Sequence, residues 1–252
     1  MIGPRGLAPL TPQDTQTLEN VLADTRLPDS TRRHFLGRAA ATTAVVVALG
    51  PLEQADAATS TDTPATVLNT AITAEALAVT FLSGLLAGQP AESVAKFVPI
   101  LQAANQAEFD HYQTLSSLGA TALATNFWVP DAFFEPANIF PTLEIAETLF
   151  VNAYLIGATV FANSASATNA RYAAEIAGVE AQHRALVRFA QNKLPNDVAF
   201  ESYRLHSMSA IVAALKSVGV GFGSRGSKPG KYYPFAPPTS SSLAQIASES
   251  PT

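Results

Sequence analysis

The chain has 252 residues, 48% of them hydrophobic and 14% charged, with a formal net charge of -5 and no cysteine. The absence of cysteine excludes disulfides, thiolate nucleophiles, iron–sulfur clusters and Cys-ligated zinc. An acidic pI near 5.3, with no basic cluster beyond the N-terminal segment, argues against nucleic-acid binding.

Residues 1–57 do not read as part of a fold. Thr31-Arg32-Arg33-His34-Phe35-Leu36 precedes a small and apolar run from Ala39 to Leu49, then Pro51 and the Ala55-Asp56-Ala57 sequence. This resembles a twin-arginine export signal with a small-x-small processing site, with threonine leading and Gly37 where a lysine is frequent. The apolar run is roughly a dozen residues, shorter than the ~20 that a membrane span needs. The competing reading is an Arg-Arg pair before an ordinary buried helix. The expectation is export in the folded state by the twin-arginine machinery, to the periplasm or beyond, with residues 1–30 as a long lead. No transmembrane span is expected in the remaining chain. Residues 58–195 are then expected to form one helical domain, and 196–252 a C-terminal extension packed on it.

A Thr/Ser/Pro-rich stretch at 59–66 leads into the first helix. Leu68, Ile72, Glu75, Val79, Leu82 and Leu86 share one face, and Gly88-Gln89-Pro90 stops it. An earlier helical piece from about Ala91 joins the second helix at a bend near Pro99, and its core face is Leu101, Ala104, Glu108, His111, Leu115 and Leu118. Residues 120–140 are rich in aromatics and prolines, so this segment is expected to pack on the helices as a long crossover. The third helix starts near Pro141 with Leu143, Glu147, Phe150 and Tyr154 aligned; Asn163 to Thr168 is a polar break. The fourth runs from about Asn169 with Ile176, Glu180, His183, Val187 and Ala190 on one face, ending before Pro195. Tyr203 to Val218 reads as one more amphipathic helix, and the chain beyond it as irregular.

A repeat runs through these helices. Glu75 is followed 33 residues later by Glu108 of a Glu-x-x-His that ends at His111; Glu147, Glu180 and His183 repeat the arrangement 72 residues on. The i,i+3 spacing aims a glutamate and a histidine at one point. Four carboxylates on apolar stripes would be costly to bury unless cations lay between them. Two divalent ions supply the matching charge, and carboxylate with imidazole suits iron or manganese, with zinc possible. The proposed metal set is therefore Glu75, Glu108, His111, Glu147, Glu180 and His183. A single Glu-x-x-His is most often a surface pair; two copies, each preceded at equal distance by a stripe glutamate, form a much more specific pattern. Glu144 is the competing carboxylate, read as a helix-start acid, and Glu175 as a solvated one. Tyr154 is read as an ordinary core tyrosine, with a partner to a ligand or a redox-active side chain as the alternatives. Tyr112 and Asp110 face elsewhere, and His206 falls outside the repeat.

Thr73-Ala74-Glu75-Ala76-Leu77, Ala107-Glu108-Phe109-Asp110-His111, Glu147 through Tyr154, and Gly178-Val179-Glu180-Ala181-Gln182-His183 together resemble a ferritin-like domain of the secreted, desiccation-related type. The resemblance covers about 65–192. It implies an all-α four-helix bundle with a long crossover between its second and third helices, to which the residue pattern beyond it adds a C-terminal helix and an irregular tail. It also implies a dimetal carboxylate centre. The expected cofactor is two iron ions, with manganese as the alternative, and the expected reactants are dioxygen or peroxide. A ferroxidase or di-iron oxidase, a dimanganese peroxide-disproportionating protein and a non-enzymatic envelope or stress protein are the three functions compatible with it. No rubredoxin-type Cys-x-x-Cys is present.

Overall fold

The computed structural model describes residues 60–88, 92–201 and 203–238. The proposed export signal therefore lies outside the described residues. Four long helices form an antiparallel bundle: α1 (Pro64–Ala87), α2 (Val98–Ser117), α3 (Ile139–Asn163) and α4 (Ala167–Ala190). A one-turn helix, Glu92–Ala95, precedes α2, as the bend near Pro99 implied. The helices pack as two hairpins, α1 on α2 and α3 on α4, joined chiefly through α1 against α3. A shorter helix, α5 (Met208–Ser217), lies on α3 and α1. The described chain is thus an all-α four-helix bundle with a long crossover and a fifth helix.

Local chemistry sets the ends of these helices. Thr63 caps α1 by accepting the backbone N–H of Thr66, with Pro64 in the first turn. Past the end of α2, Gly119 takes φ +87°, a left-handed conformation that glycine adopts without strain, and Ala120 N–H returns to the Leu115 carbonyl. Helices α1 and α3 are long and apolar enough to cross a membrane by length and composition. In each, most of the apolar stretch is buried inside the bundle, 72% and 61% respectively, which is how central core helices of a bundle read.

The fifth helix begins at Met208, whereas the sequence pattern placed its start at Tyr203. A tertiary partner explains the five-residue difference. Asn152 of α3 accepts the backbone N–H groups of Arg204 and Leu205 through Oδ1 and donates from Nδ2 to the Leu205 carbonyl. That pairing holds the segment extended, and Ser207 then caps α5 by accepting Ala210 N–H.

The crossover packs on the bundle as its composition suggested. Phe133 meets Phe81 of α1 edge-on and Phe134 meets it at a tilt, with ring centroids 6.3 and 5.1 Å away. Within it, β1 (Asn126–Pro130) pairs antiparallel with two short tail strands, β2 (Gly221–Phe222) and β3 (Gly230–Pro234), in the order β2-β1-β3. Among the described residues the tail is otherwise irregular. Trp128 fills the sheet's face and donates its indole N–H to the Lys228 carbonyl at 2.9 Å. A Cβ at Gly230 would stand 2.3 Å from the Val129 carbonyl oxygen, so that close approach requires glycine.

Candidate metal centre

Each bundle helix brings its glutamate to a common depth in the core. Glu75 of α1, Glu108 of α2, Glu147 of α3 and Glu180 of α4 are 0–4% exposed, and His111 and His183 are 9% and 8% exposed. The i,i+3 step on α2 places His111 Nδ1 3.4 Å from Glu108 Oε2, and the same step on α4 places His183 Nδ1 3.5 Å from Glu180 Oε2. Across the bundle, His111 Nδ1 lies 3.2 Å from Glu180 Oε1 and 3.8 Å from Glu75 Oε2. His183 Nδ1 lies 2.9 Å from Glu108 Oε1 and 3.8 Å from Glu147 Oε2.

Assigned atom by atom, these approaches make two subsites. Glu108 turns Oε2 to His111 and Oε1 to His183; Glu180 turns Oε1 to His111 and Oε2 to His183. Each of these two carboxylates therefore serves both subsites. Glu75 faces His111 alone and Glu147 faces His183 alone. The potential donor atoms of Glu75, Glu108, His111 and Glu180 fall within 4.8 Å of one another, as do those of Glu108, Glu147, Glu180 and His183. The six residues singled out by the repeat are one buried cluster with two overlapping ligand groups.

The cluster is unsatisfied by protein alone. Eight of its buried oxygen and nitrogen atoms lack a hydrogen-bond partner: Oε2 of Glu75 and Glu147, both carboxylate oxygens of Glu108 and Glu180, and Nδ1 of both histidines. The 2.9 Å approach of His183 to Glu108 is close, but it is not aligned as a hydrogen bond. Orphaned buried groups of this kind are costly, and all eight point into the two subsites. A pair of cations fits that donor set. Carboxylate oxygens and imidazole nitrogens without sulfur suit iron, manganese or zinc, and the arrangement does not distinguish among them.

Without cations the cluster holds protons instead. Burial, then the charges of Glu108 and Glu180, push Glu75 well above the ordinary carboxylate range. Burial likewise raises Glu147, with Glu180 and Glu108 adding to it against the pull of His183. Burial also disfavours a charged Glu108, but the two imidazoles beside it prevail and hold it low. His111 and His183 are raised well above the usual imidazole value, because their carboxylate neighbours outweigh burial.

Tyr154, two turns beyond Glu147 on α3, donates its hydroxyl to Glu75 Oε1. It thereby fixes the Glu75 carboxylate with Oε2 left toward His111. Glu144 stands apart from the cluster. It accepts from Arg188, Gln191 and Lys193 and so ties the start of α3 to the end of α4. Sequence reading took Glu144 for a helix-start acid; its partners lie 44 to 49 residues away, which no local pattern reports. Glu175 pairs with Arg171 on the surface of α4. Asp110 accepts from Gln106, Tyr112 packs on Phe235, and His206 packs edge-on against Tyr203. Asn152, which anchors the segment before α5, was missed because its partners come from 52 and 53 residues downstream.

No curated protein and no solved structure matches this chain. The Ferritin-like domain family matches residues 63–193, from the N-cap of α1 to just past the end of α4 and over half of the chain. The fold, the buried four-glutamate, two-histidine cluster and this match agree, and the chain belongs to the ferritin-like domain family.

Proposed function

We propose that Glu75, Glu108, His111, Glu147, Glu180 and His183 would hold two iron ions and that the protein acts as a ferroxidase or di-iron oxidase outside the cytoplasm. The supporting observation is that Glu108 and Glu180 each offer one oxygen to each subsite, so the two ions would share both ligands. When bound, two ferrous ions would supply two one-electron reductants for dioxygen or peroxide. The chain's own part is to hold the ligands before the metal arrives. Tyr154 orients Glu75, the i,i+3 steps aim each histidine beside its glutamate, and the apolar bundle keeps bulk water away.

Metal content measured by mass spectrometry on protein purified without a histidine tag tests this reading, followed by anaerobic Fe(II) loading and exposure to air. Two irons per chain, with ferric absorbance that rises on oxygenation and is abolished by Glu108→Ala, are expected. Two manganese ions per chain with oxygen evolution from peroxide would replace the oxidase by a peroxide-disproportionating protein. No metal and no Fe(II) uptake would leave a bundle used as structure.

Export is part of the proposal and rests on Arg32-Arg33 ahead of the apolar run and the Ala55-Asp56-Ala57 sequence. Replacing both arginines by lysine is expected to retain the precursor in the cytoplasm. Unchanged export of that variant would remove the twin-arginine route.

A further inference from the structure

The two halves of the centre differ on their outer sides. Beside Tyr154 lies a cavity of only about 10 Å³, and neither Glu75 nor His111 lines it. The 72-residue offset that relates Glu75 to Glu147 relates Leu82 to Tyr154. Leu82 brings no hydroxyl to Glu147. It lines instead a cavity of about 130 Å³ that reaches Glu147. This cavity runs between α1 and α3 beneath the crossover and the end of α5, with Phe81, Val129 and Phe150 in its buried wall. Ala78, Ile145 and Val218 are partly exposed and form its rim.

The lining decides what can occupy it. Among the residues around the cavity only Thr142 and Glu147 have polar side chains. An apolar cavity of about 150 Å³ stays dry and takes up benzene or xenon, so this one suits a molecule of on the order of six non-hydrogen atoms. A charged or strongly hydrogen-bonding molecule would shed its water without gaining partners. We propose that the cavity binds a small, uncharged, hydrocarbon-rich substrate of the metal centre and holds it against Glu147. This rests on the dinuclear reading above. It adds a direction of approach: substrate enters on the Glu147–His183 side, and Tyr154 closes the Glu75 side.

The experiment uses the full chain loaded with Mn(II), with fluorobenzene as the probe and ¹⁹F NMR as the readout, and the metal counted in the same samples. Saturable one-site binding is expected, with the bound signal broadened by the paramagnetic ions. Ala78→Phe should weaken binding at least tenfold while the metal stoichiometry stays at two. Val218→Trp at the rim gives the same test at a position where a large side chain meets solvent. With two metals bound, three results would each overturn the proposal alone: no saturable binding, binding without broadening, or binding undiminished in both variants. Failure to bind metal at all would instead bring down the dinuclear reading, and the proposal with it.

Discussion

The Glu75–His111 and Glu147–His183 halves use the same ligand types at the same spacings, yet their surroundings are opposite. One carries a tyrosine hydroxyl on its terminal carboxylate; the other carries a leucine at the matching position and a cavity of about 130 Å³ that reaches its terminal carboxylate. The repeat brings together the residues that could hold metal. The departure from the repeat places a cavity beside Glu147. A symmetric donor set thus sits inside an asymmetric bundle.

The largest effects should come from breaking one half and sparing the other. His111→Ala and His183→Ala are each expected to lower the stoichiometry from two metals toward one per chain, since each removes the nitrogen of a single subsite. Complete loss of metal in both variants would show that the two subsites cannot fill separately. Next in size is pH. Glu75, Glu147, His111 and His183 are all raised in the metal-free protein. Their contribution to its stability is complete below the unfolded values, near 4.5 for the glutamates and 6.5 for the histidines. It is lost as pH rises through the elevated folded values. Metal loading must displace the same protons, so affinity should rise with pH, about tenfold per unit for each proton displaced. Metal-free and loaded proteins should therefore diverge in melting temperature as pH increases. Parallel curves would refute the proton-for-metal exchange.

Tyr154→Phe sharpens the comparison with a smaller effect. It leaves Glu75 Oε1 without its donor, and about a tenfold loss of affinity at the His111 subsite is expected, with the His183 subsite unchanged. Equal loss at both would assign Tyr154 to general packing. Smallest is Glu144→Ala, which removes the ion pairs to Arg188 and Lys193 at a cost of about 1 kcal/mol, with metal stoichiometry intact. Hydrogen bonding from Lys193 and Gln191 prevails over burial and lowers Glu144. Its contribution is therefore present above its unfolded value and fades as pH falls through the lower folded one. Loss of metal from this variant would mean that the carboxylate on α3 had been chosen wrongly.

Much of the bundle was legible because it depends on local periodicity. Glu75, Glu108, Glu147 and Glu180 each sit on an apolar stripe, and a stripe at helical spacing must face the core. The start of α5 was less legible, since Asn152 captures Arg204 and Leu205 from 52 and 53 residues away. The pairing of β1 with the tail was also hidden, because strand partners some 100 residues apart leave no periodic trace.

The sequence by itself determined four amphipathic helices, a twofold recurrence of Glu and Glu-x-x-His, and a donor set without sulfur. These follow from spacing along the chain and from residue chemistry. Only the tertiary structure decided that Glu108 and Glu180 each serve both subsites, that Tyr154 reaches Glu75, and that the space beside Glu147 stays open. Those depend on how the two hairpins, the crossover and α5 pack together. That packing sums many nonlocal contacts, and no single stretch of sequence encodes it.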